Sequence, residues 1–230
     1  MASNHFTGQS PEYYTQKTIC CFVLDTSGSM SGQPINALNS ALQQFYRDIS
    51  NDSDMAEQLE VAIVTFDSHA KKLRDPALVA NFTMPVLSVS GTTALVDGVR
   101  KGIELVEDRK EWYKNTGQSY MRPWIILITD GAPDSNQDVQ GLSHEIEEKT
   151  KARNFMFLPI GVAGADMNVL NSIAGYQSPD SAKMQALSLD GLKFGEFFEW
   201  LSNSIAVIHN STEGDDVQLP SVDSWTSFTL

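Results

Sequence analysis

The sequence predicts a doubly wound α/β fold: a six-stranded, mainly parallel sheet with one antiparallel edge strand and helices on both faces. Five apolar runs are nearly continuous rather than alternating, which is typical of parallel strands covered on both faces. Between most of these runs lie segments whose apolar residues recur with the helical period. With 230 residues, of which 41% are hydrophobic, the chain is long enough to bury the core of one large domain.

The five apolar runs are predicted as strands at residues 18–24, 61–66, 124–129, 155–160 and 184–189. Residues 71–78 follow the second run too closely for a crossover helix, so we predict a short antiparallel edge strand there. Three apolar stripes indicate helices, and they comprise Ile35, Leu38, Leu42, Phe45 and Ile49; Val99, Ile103 and Val106; and Phe194, Phe197, Phe198, Leu201, Ile205 and Ile208. The resulting order, β-α-β-β-α-β-α-β-α-β-α, is that of a doubly wound sheet with one reversed edge.

Three segments are expected along the chain: a polar lead at residues 1–17, the α/β domain at 18–210 and an acidic tail at 211–230. The lead lacks the basic-then-apolar pattern of a secretory signal. No run approaches the roughly 20 apolar residues of a membrane-spanning helix, so we expect no membrane partner. In the tail, the apolar residues Trp225 and Phe228 follow an acidic stretch and are candidate anchors.

Charge and cysteine usage narrow the expected partners and location. The formal net charge is −13, from 16 basic and 29 acidic side chains, and such a surface repels phosphate backbones. Nucleic acid is therefore not an expected partner. Cys20 and Cys21 are adjacent within an apolar run, which indicates buried thiols rather than a disulfide framework. This usage suits a reducing cytoplasm, which is the expected location.

Oxygen-bearing side chains follow the first predicted strand in the segment Asp25-Thr26-Ser27-Gly28-Ser29. Asp25, Ser27 and Ser29 alternate, so they can point to one side of a tight loop, and Gly28 allows the backbone to turn. Oxygen is the donor that hard cations such as Mg²⁺ prefer. Alone the segment is weak evidence, because serine, glycine and aspartate are also ordinary turn residues.

Two later segments strengthen the interpretation. Residues 90–95, Ser-Gly-Thr-Thr-Ala-Leu, place a hydroxyl at the start of a predicted helix, and residues 126–131, Ile-Leu-Ile-Thr-Asp-Gly, place Asp130 at the carboxyl end of a buried strand. The strand ends near the topological switch of an open α/β sheet form its usual binding crevice. Two carboxylates and three hydroxyls are thus expected at one sheet edge.

At these residues the chain resembles the von Willebrand A family, whose metal-ion-dependent adhesion site is written D-x-S-x-S, then a Thr, then an Asp. The resemblance implies that the metal ligands are Asp25, Ser27, Ser29, Thr93 and Asp130. Thr92 is the alternative to Thr93. The resemblance also implies that the metal is Mg²⁺, with Mn²⁺ or Ca²⁺ as alternatives. It further implies a protein partner whose Asp or Glu completes the coordination shell.

Within that family the chain looks most like the bacterial TerY-like proteins of tellurium-resistance and stress clusters. The stretches that carry this resemblance are residues 65–67, 121–124, 129–131 and 197–202. The resemblance implies service in a stress response, often beside a protein kinase and a phosphatase. It implies a binding module and not an enzyme.

Alternatives remain open for two residues and for the function. Asp67 and Asp134 are predicted near the same loops. Each could support the site or face the partner, but we favour ordinary polar loop residues. A Mg²⁺-dependent phosphoryl-transfer enzyme also places an aspartate after the first strand, but Ser27 stands where a second carboxylate is usual, and we identify no suitable lysine among the site loops. A scaffold that binds through Trp225 and Phe228 is the third interpretation.

Overall fold

Six strands form one sheet in the computed structural model, which describes residues 15–162, 164–209, 219–223 and 226. The strands are β1 (Thr18–Asp25), β2 (Leu59–Phe66), β3 (Ala70–Leu78), β4 (Trp124–Thr129), β5 (Met156–Gly161) and β6 (Leu187–Ser188). Their order across the sheet is β3-β2-β1-β4-β5-β6. Every pairing is parallel except that of β2 with β3, which is antiparallel. The predicted fold class, including the reversed edge strand, is confirmed.

Helices cover both faces of this sheet. They are α1 (Gln33–Ser50), α2 (Ser53–Gln58), α3 (Leu95–Thr116), α4 (Val139–Lys151), α5 (Met167–Ile173) and α6 (Phe194–His209). The hydrophobic core has two parts: α1 and α6 pack on one face of the sheet, and α3, α4 and α5 pack on the other. Successive side chains of β1 lie on opposite faces of the sheet and pack in the two cores alternately, with Cys20 in the first core and Cys21 in the second. Burial on both faces explains why the strand is apolar without alternation.

The chain reverses direction across the sheet beside β1, since β1 pairs with β2 on one side and with β4 on the other. In an open α/β sheet this switch point opens a crevice at the carboxyl ends of the strands. Asp25 is the last residue of β1, Asp67 follows β2, and Asp130 follows β4. The topology thereby brings residues from three separate segments to one edge.

Two elements differ from the prediction. The strand predicted at 184–189 is reduced to Leu187–Ser188, because the Met184 amide bonds instead to the carbonyl of Gly175 and the Ala186 amide to the side chain of Asn171. The short helix α2 was not predicted, because it buries only Met55 and Ala56 and therefore has no apolar stripe.

Part of the predicted tail contacts the domain. The Trp200 indole donates a hydrogen bond to the Pro220 carbonyl at 2.9 Å, and the Thr226 hydroxyl donates one to the Ser188 carbonyl at 2.7 Å. Trp225, Phe228 and the acidic residues predicted within 211–218 lie outside the described residues. Among the residues that the structure describes, no helix is both long enough and apolar enough to cross a membrane.

Candidate metal centre

Asp25 lies at the bottom of the crevice and is fully buried. Its Oδ1 accepts a hydrogen bond from the Ser27 amide at 2.8 Å, and its Oδ2 accepts one from the Thr129 hydroxyl. Burial raises the pKa of Asp25 above its ordinary value; the hydrogen bonds from Ser27 and Thr129 oppose that rise, and the charge of Asp130 adds to it. The carboxylate is therefore held in a fixed orientation in a place that disfavours an isolated negative charge.

A chain of hydroxyl groups connects the first loop to the third. Ser27 Oγ and Ser29 Oγ are 3.0 Å apart, and Ser29 Oγ donates a hydrogen bond to Asp130 Oδ1 at 2.7 Å. Ser29 belongs to a short 3-10 turn, Gly28–Met30, whose last side chain is buried in the core. The predicted residues from two of the three segments are thus in direct contact.

Thr93 brings in the third segment. A methyl group at Gly131 would lie 3.6 Å from Thr93 Oγ1 and 3.8 Å from Asp25 Oδ2. Both oxygens therefore lie close to the backbone of Gly131, which carries no side chain of its own. Thr92, the alternative to Thr93, is exposed, and its hydroxyl donates to Asp134 Oδ2 at 2.8 Å. The geometry favours Thr93.

The loop that carries Thr93 is attached to the segment that follows β1. The Ser90 amide donates to the Thr26 carbonyl at 2.8 Å, and the Gly28 amide donates to the Gly91 carbonyl at 3.1 Å. Gly91 has a φ of +69°, and a Cβ at this position would collide with the side chain of Ser68. Glycine is required here both by the backbone conformation and by the close approach of Ser68.

Asp67 supports this loop. Its carboxylate accepts hydrogen bonds from Ser90 Oγ and Lys71 Nζ, each at 2.8 Å, and from the His69 amide at 3.0 Å. Burial opposes ionisation, but these three donors outweigh it and hold the pKa of Asp67 at about 2. The Asp67 carbonyl also accepts the Ala94 amide at 2.7 Å. Asp67 is therefore a supporting residue whose carboxylate is already engaged by neighbours.

Asp134 supports the same loop from the other side. In addition to the Thr92 hydroxyl, its carboxylate accepts the Thr93 amide at 3.3 Å. Its own amide donates to the Thr93 carbonyl at 3.2 Å. Of the two interpretations left open for Asp67 and Asp134, the structure supports a role in holding the site loops.

Sequence reasoning missed three residues at this edge: Thr129, Gln137 and Lys71. Thr129 had a signal, since a hydroxyl residue at the last position of an apolar strand stands directly before Asp130. Gln137 bonds to the backbone of Thr93 and of Val96, and nothing local marks it. Lys71 lies on β3, outside the site loops, and its ammonium is paired with Asp67.

The chemistry of the donors fits a hard divalent cation. The five predicted residues offer only oxygen, which suits Mg²⁺, Mn²⁺ and Ca²⁺ better than softer metals. Two carboxylates formally balance a dication, and a cation beside Asp25 would relieve the burial of its charge. No group of three or more His, Cys, Asp or Glu side chains arranged to hold a metal occurs among the described residues.

The chain is similar in sequence to known proteins. The model of the von Willebrand factor type A domain matches residues 20–189. Inter-alpha-trypsin inhibitor heavy chain H3 of Mesocricetus auratus is 25% identical over 187 residues, which are 80% of this chain and 21% of that protein. The chain spans about a quarter or less of the length of the curated relatives it matches.

Solved structures share the fold. The vWF domain of the type V pili tip protein Mfa5 from Porphyromonas gingivalis superposes with a TM-score of 0.60 at 12% identity, covering 88% of this chain and 99% of that one. Proximal thread matrix protein 1 from the mussel byssus, in a structure with a zinc-occupied MIDAS motif, gives a TM-score of 0.53 at 22% identity, covering 81% of this chain and 45% of that one.

Proposed function

Because the chain belongs to the von Willebrand factor type A domain family, we propose that it binds one divalent cation at the crevice and uses it to bind an acidic group of a partner protein. The proposed ligands are Asp25, Ser27, Ser29, Thr93 and Asp130. The observation that carries the proposal is the hydrogen bond from Ser29 Oγ to Asp130 Oδ1 at 2.7 Å, because it joins loops from two strands beside the buried Asp25 carboxylate.

Each ligand has a distinct role in this proposal. Asp25 and Asp130 neutralise the charge of the cation, and the three hydroxyls supply oxygen without adding charge. The cation, when bound, offers an electrophilic position to an anionic ligand. We propose Mg²⁺, with Mn²⁺ and Ca²⁺ as alternatives, because all three take oxygen ligands.

An aspartate or glutamate side chain is the proposed ligand from the partner. Since two carboxylates already balance the dication formally, only an anion gains strongly from direct coordination. Ser29 is exposed while Asp25 is buried, so the crevice opens toward solvent on the Ser29 side.

We propose that the chain is not an enzyme. An aspartate-nucleophile phosphoryl-transfer enzyme usually needs a second carboxylate two residues after the first, and Ser27 stands there. Lys71 is held by Asp67 at 2.8 Å. A phosphatase assay on the full chain with Mg²⁺ should show no turnover.

The physiological setting is proposed on sequence resemblance alone. The TerY-like stretches favour a bacterial stress or tellurium-resistance system, a kinase and phosphatase pair as partners, and a cytoplasmic location. Capture of partners from the native cell, compared with and without chelator, tests this setting. Loss of captured proteins on chelation is expected.

Metal binding is tested by calorimetric titration of Mg²⁺ into chelator-stripped protein. We expect one site in the wild-type chain and none in an Asp25→Ala, Asp130→Ala double variant. Equal binding by the two proteins would exclude these carboxylates as ligands. Circular dichroism of the stripped protein should show a folded chain, because both cores are built from apolar side chains and not from the proposed metal ligands.

The scaffold alternative is tested with two matched variants of the full chain. Ser27→Ala with Ser29→Ala removes two hydroxyls from the site, and Trp225→Ala with Phe228→Ala removes the two apolar residues of the tail. Point variants are preferable to truncation, because Pro220 and Thr226 contact the domain. We expect the serine variant to lose its partner and the tail variant to keep it. The reverse result would transfer recognition to the tail.

A further inference from the structure

Gln137 joins the loop after β4 to the loop that carries Thr93. Its Nε2 donates a hydrogen bond to the Thr93 carbonyl at 2.5 Å, and its Oε1 accepts one from the Val96 amide at 2.7 Å. One side chain therefore binds a carbonyl just before α3 and an amide inside its first turn. The residues lie more than 40 positions apart in sequence, so this contact is entirely tertiary.

Helix α3 depends on this contact for its start. The residue at its N-cap is Ala94, which has no side chain able to accept a hydrogen bond from the first turn. The first amides of a helix lack partners within the helix and need an acceptor from elsewhere. Gln137 supplies that acceptor to Val96, and so fixes where α3 begins relative to the loop after β4.

Gln137 is itself held firmly. Its amide donates to the Asp134 carbonyl at 3.1 Å, and its carbonyl accepts the Val139 amide at 3.0 Å. The next residue, Asp138, caps α4 by accepting the Gly141 amide at 2.9 Å. The side chain therefore extends from a turn anchored at both ends, in the same loop that begins with Asp130.

We propose that Gln137 is a positioning residue for the metal centre, holding the Thr93 hydroxyl in register with Asp25 and Asp130. The inference rests on the proposed metal binding. Gln137 acts on Thr93 through the backbone, and Asp134 assists by bonding the Thr93 amide. Of Gln137 and Asp134, Gln137 is the better residue to substitute, because replacing a neutral side chain does not change the charge near the cation.

The test is a double-mutant cycle between Gln137 and Thr93 in the full chain, with Mn²⁺ as the probe. Binding is followed by the electron paramagnetic resonance signal of free Mn²⁺, which measures weak as well as tight sites. Gln137→Met keeps the length of the side chain and removes both hydrogen bonds, and Thr93→Val removes the hydroxyl while keeping its shape. We expect Gln137→Met to raise the dissociation constant roughly tenfold in the wild-type background, as loss of an outer contact typically does. In the Thr93→Val background it should change the constant less than about twofold.

The matched control is Gln43→Met. Gln43 also clamps a loop by donating from Nε2 to backbone carbonyls, at 3.0 Å to Met84 and 3.4 Å to Pro85, but it does not contact Thr93. It should leave the dissociation constant unchanged. Thermal melts of the stripped variants separate folding from binding.

A tenfold loss that disappears without the Thr93 hydroxyl supports the positioning role. Wild-type affinity in Gln137→Met, or an equal loss in both backgrounds, overturns it while leaving the metal site in place. A wild-type chain that binds no Mn²⁺ overturns the proposed metal binding itself.

Discussion

The Thr129 hydroxyl donates a hydrogen bond to Asp25 Oδ2, across two neighbouring parallel strands and between residues 104 positions apart. Both residues are fully buried at the carboxyl ends of their strands. The bond aims the carboxylate that we propose as the deepest ligand of the metal centre. Its energetic consequence can be measured without any metal.

Replacing Thr129 with valine should destabilise the chelator-stripped protein. The substitution keeps the shape of the side chain, leaves a buried carboxylate oxygen without this donor and removes the acceptor of the Gly131 amide at 3.2 Å, which typically costs about 1–3 kcal/mol. Urea unfolding at neutral pH measures the loss. Thr65→Val is the control, since this buried threonine on β2 has no carboxylate partner among the described residues. An unchanged free energy of unfolding in Thr129→Val would show that the bond contributes nothing.

Replacing Gly131 with alanine should weaken metal binding but not the fold. The new methyl group would be in ordinary van der Waals contact with Thr93 Oγ1 and Asp25 Oδ2, at 3.6 and 3.8 Å, and would crowd a cation bound by these oxygens. We expect the Mg²⁺ affinity to fall roughly tenfold, measured by calorimetry. Gly195→Ala is the control, because that position in α6 faces open space. Undiminished affinity in Gly131→Ala would place the cation elsewhere.

Acid should destabilise the wild-type chain partly through Asp67. The pKa of Asp67 is about 2 in the folded chain, below its ordinary value of 3.8. This depressed pKa contributes stability that is fully present above pH 3.8 and is lost as the pH falls toward 2. The contribution should be on the order of 1 kcal/mol, because Lys71 is largely exposed and its attraction is screened.

We expect Asp67→Asn to remove this pH dependence of the free energy of unfolding. The free energy of unfolding is measured between pH 2 and pH 5 for both proteins, and their difference should shrink as the pH falls. A difference that stays constant across this range would show that Asp67 titrates normally in the folded chain.

A buried ion pair at the other end of the sheet should affect stability alone. Arg109 donates to both carboxylate oxygens of Glu60, and Tyr113 donates to Glu60 Oε2 at 2.7 Å. Glu60 stands near the start of β2, roughly 20 Å from its carboxyl end. Glu60→Gln removes the carboxylate charge that pairs with the buried Arg109 guanidinium and should cost about 3–5 kcal/mol, with the Mg²⁺ affinity unchanged.

Chemical denaturation and calorimetric titration of Glu60→Gln measure the two quantities. A triple variant, Glu60→Leu with Arg109→Met and Tyr113→Phe, should recover much of the lost stability, because it removes the polar groups together. If the Mg²⁺ affinity fell in Glu60→Gln, the two ends of the sheet would be coupled through α3.

The sequence by itself determined the sheet and predicted the residues of the site. Apolar runs and helical stripes are local features of the sequence. Each residue of β1 is buried on one face of the sheet or the other, so the strand is a continuous apolar run that can be predicted from the sequence. The alternation of Asp25, Ser27 and Ser29 after a buried strand indicated the first site loop in the same way. The strand predicted at 184–189 failed because its amides bond to Gly175 and Asn171, which local hydrophobicity does not record.

Only the tertiary structure decided how the site is held together. It showed that Asp134 engages the Thr92 hydroxyl, whereas Thr93 Oγ1 lies beside Gly131. It also introduced Thr129 and Gln137, whose partners lie 104 and 44 positions away. Hydrogen bonds between distant loops leave no periodic pattern in a sequence, since they depend on where the strands end in space.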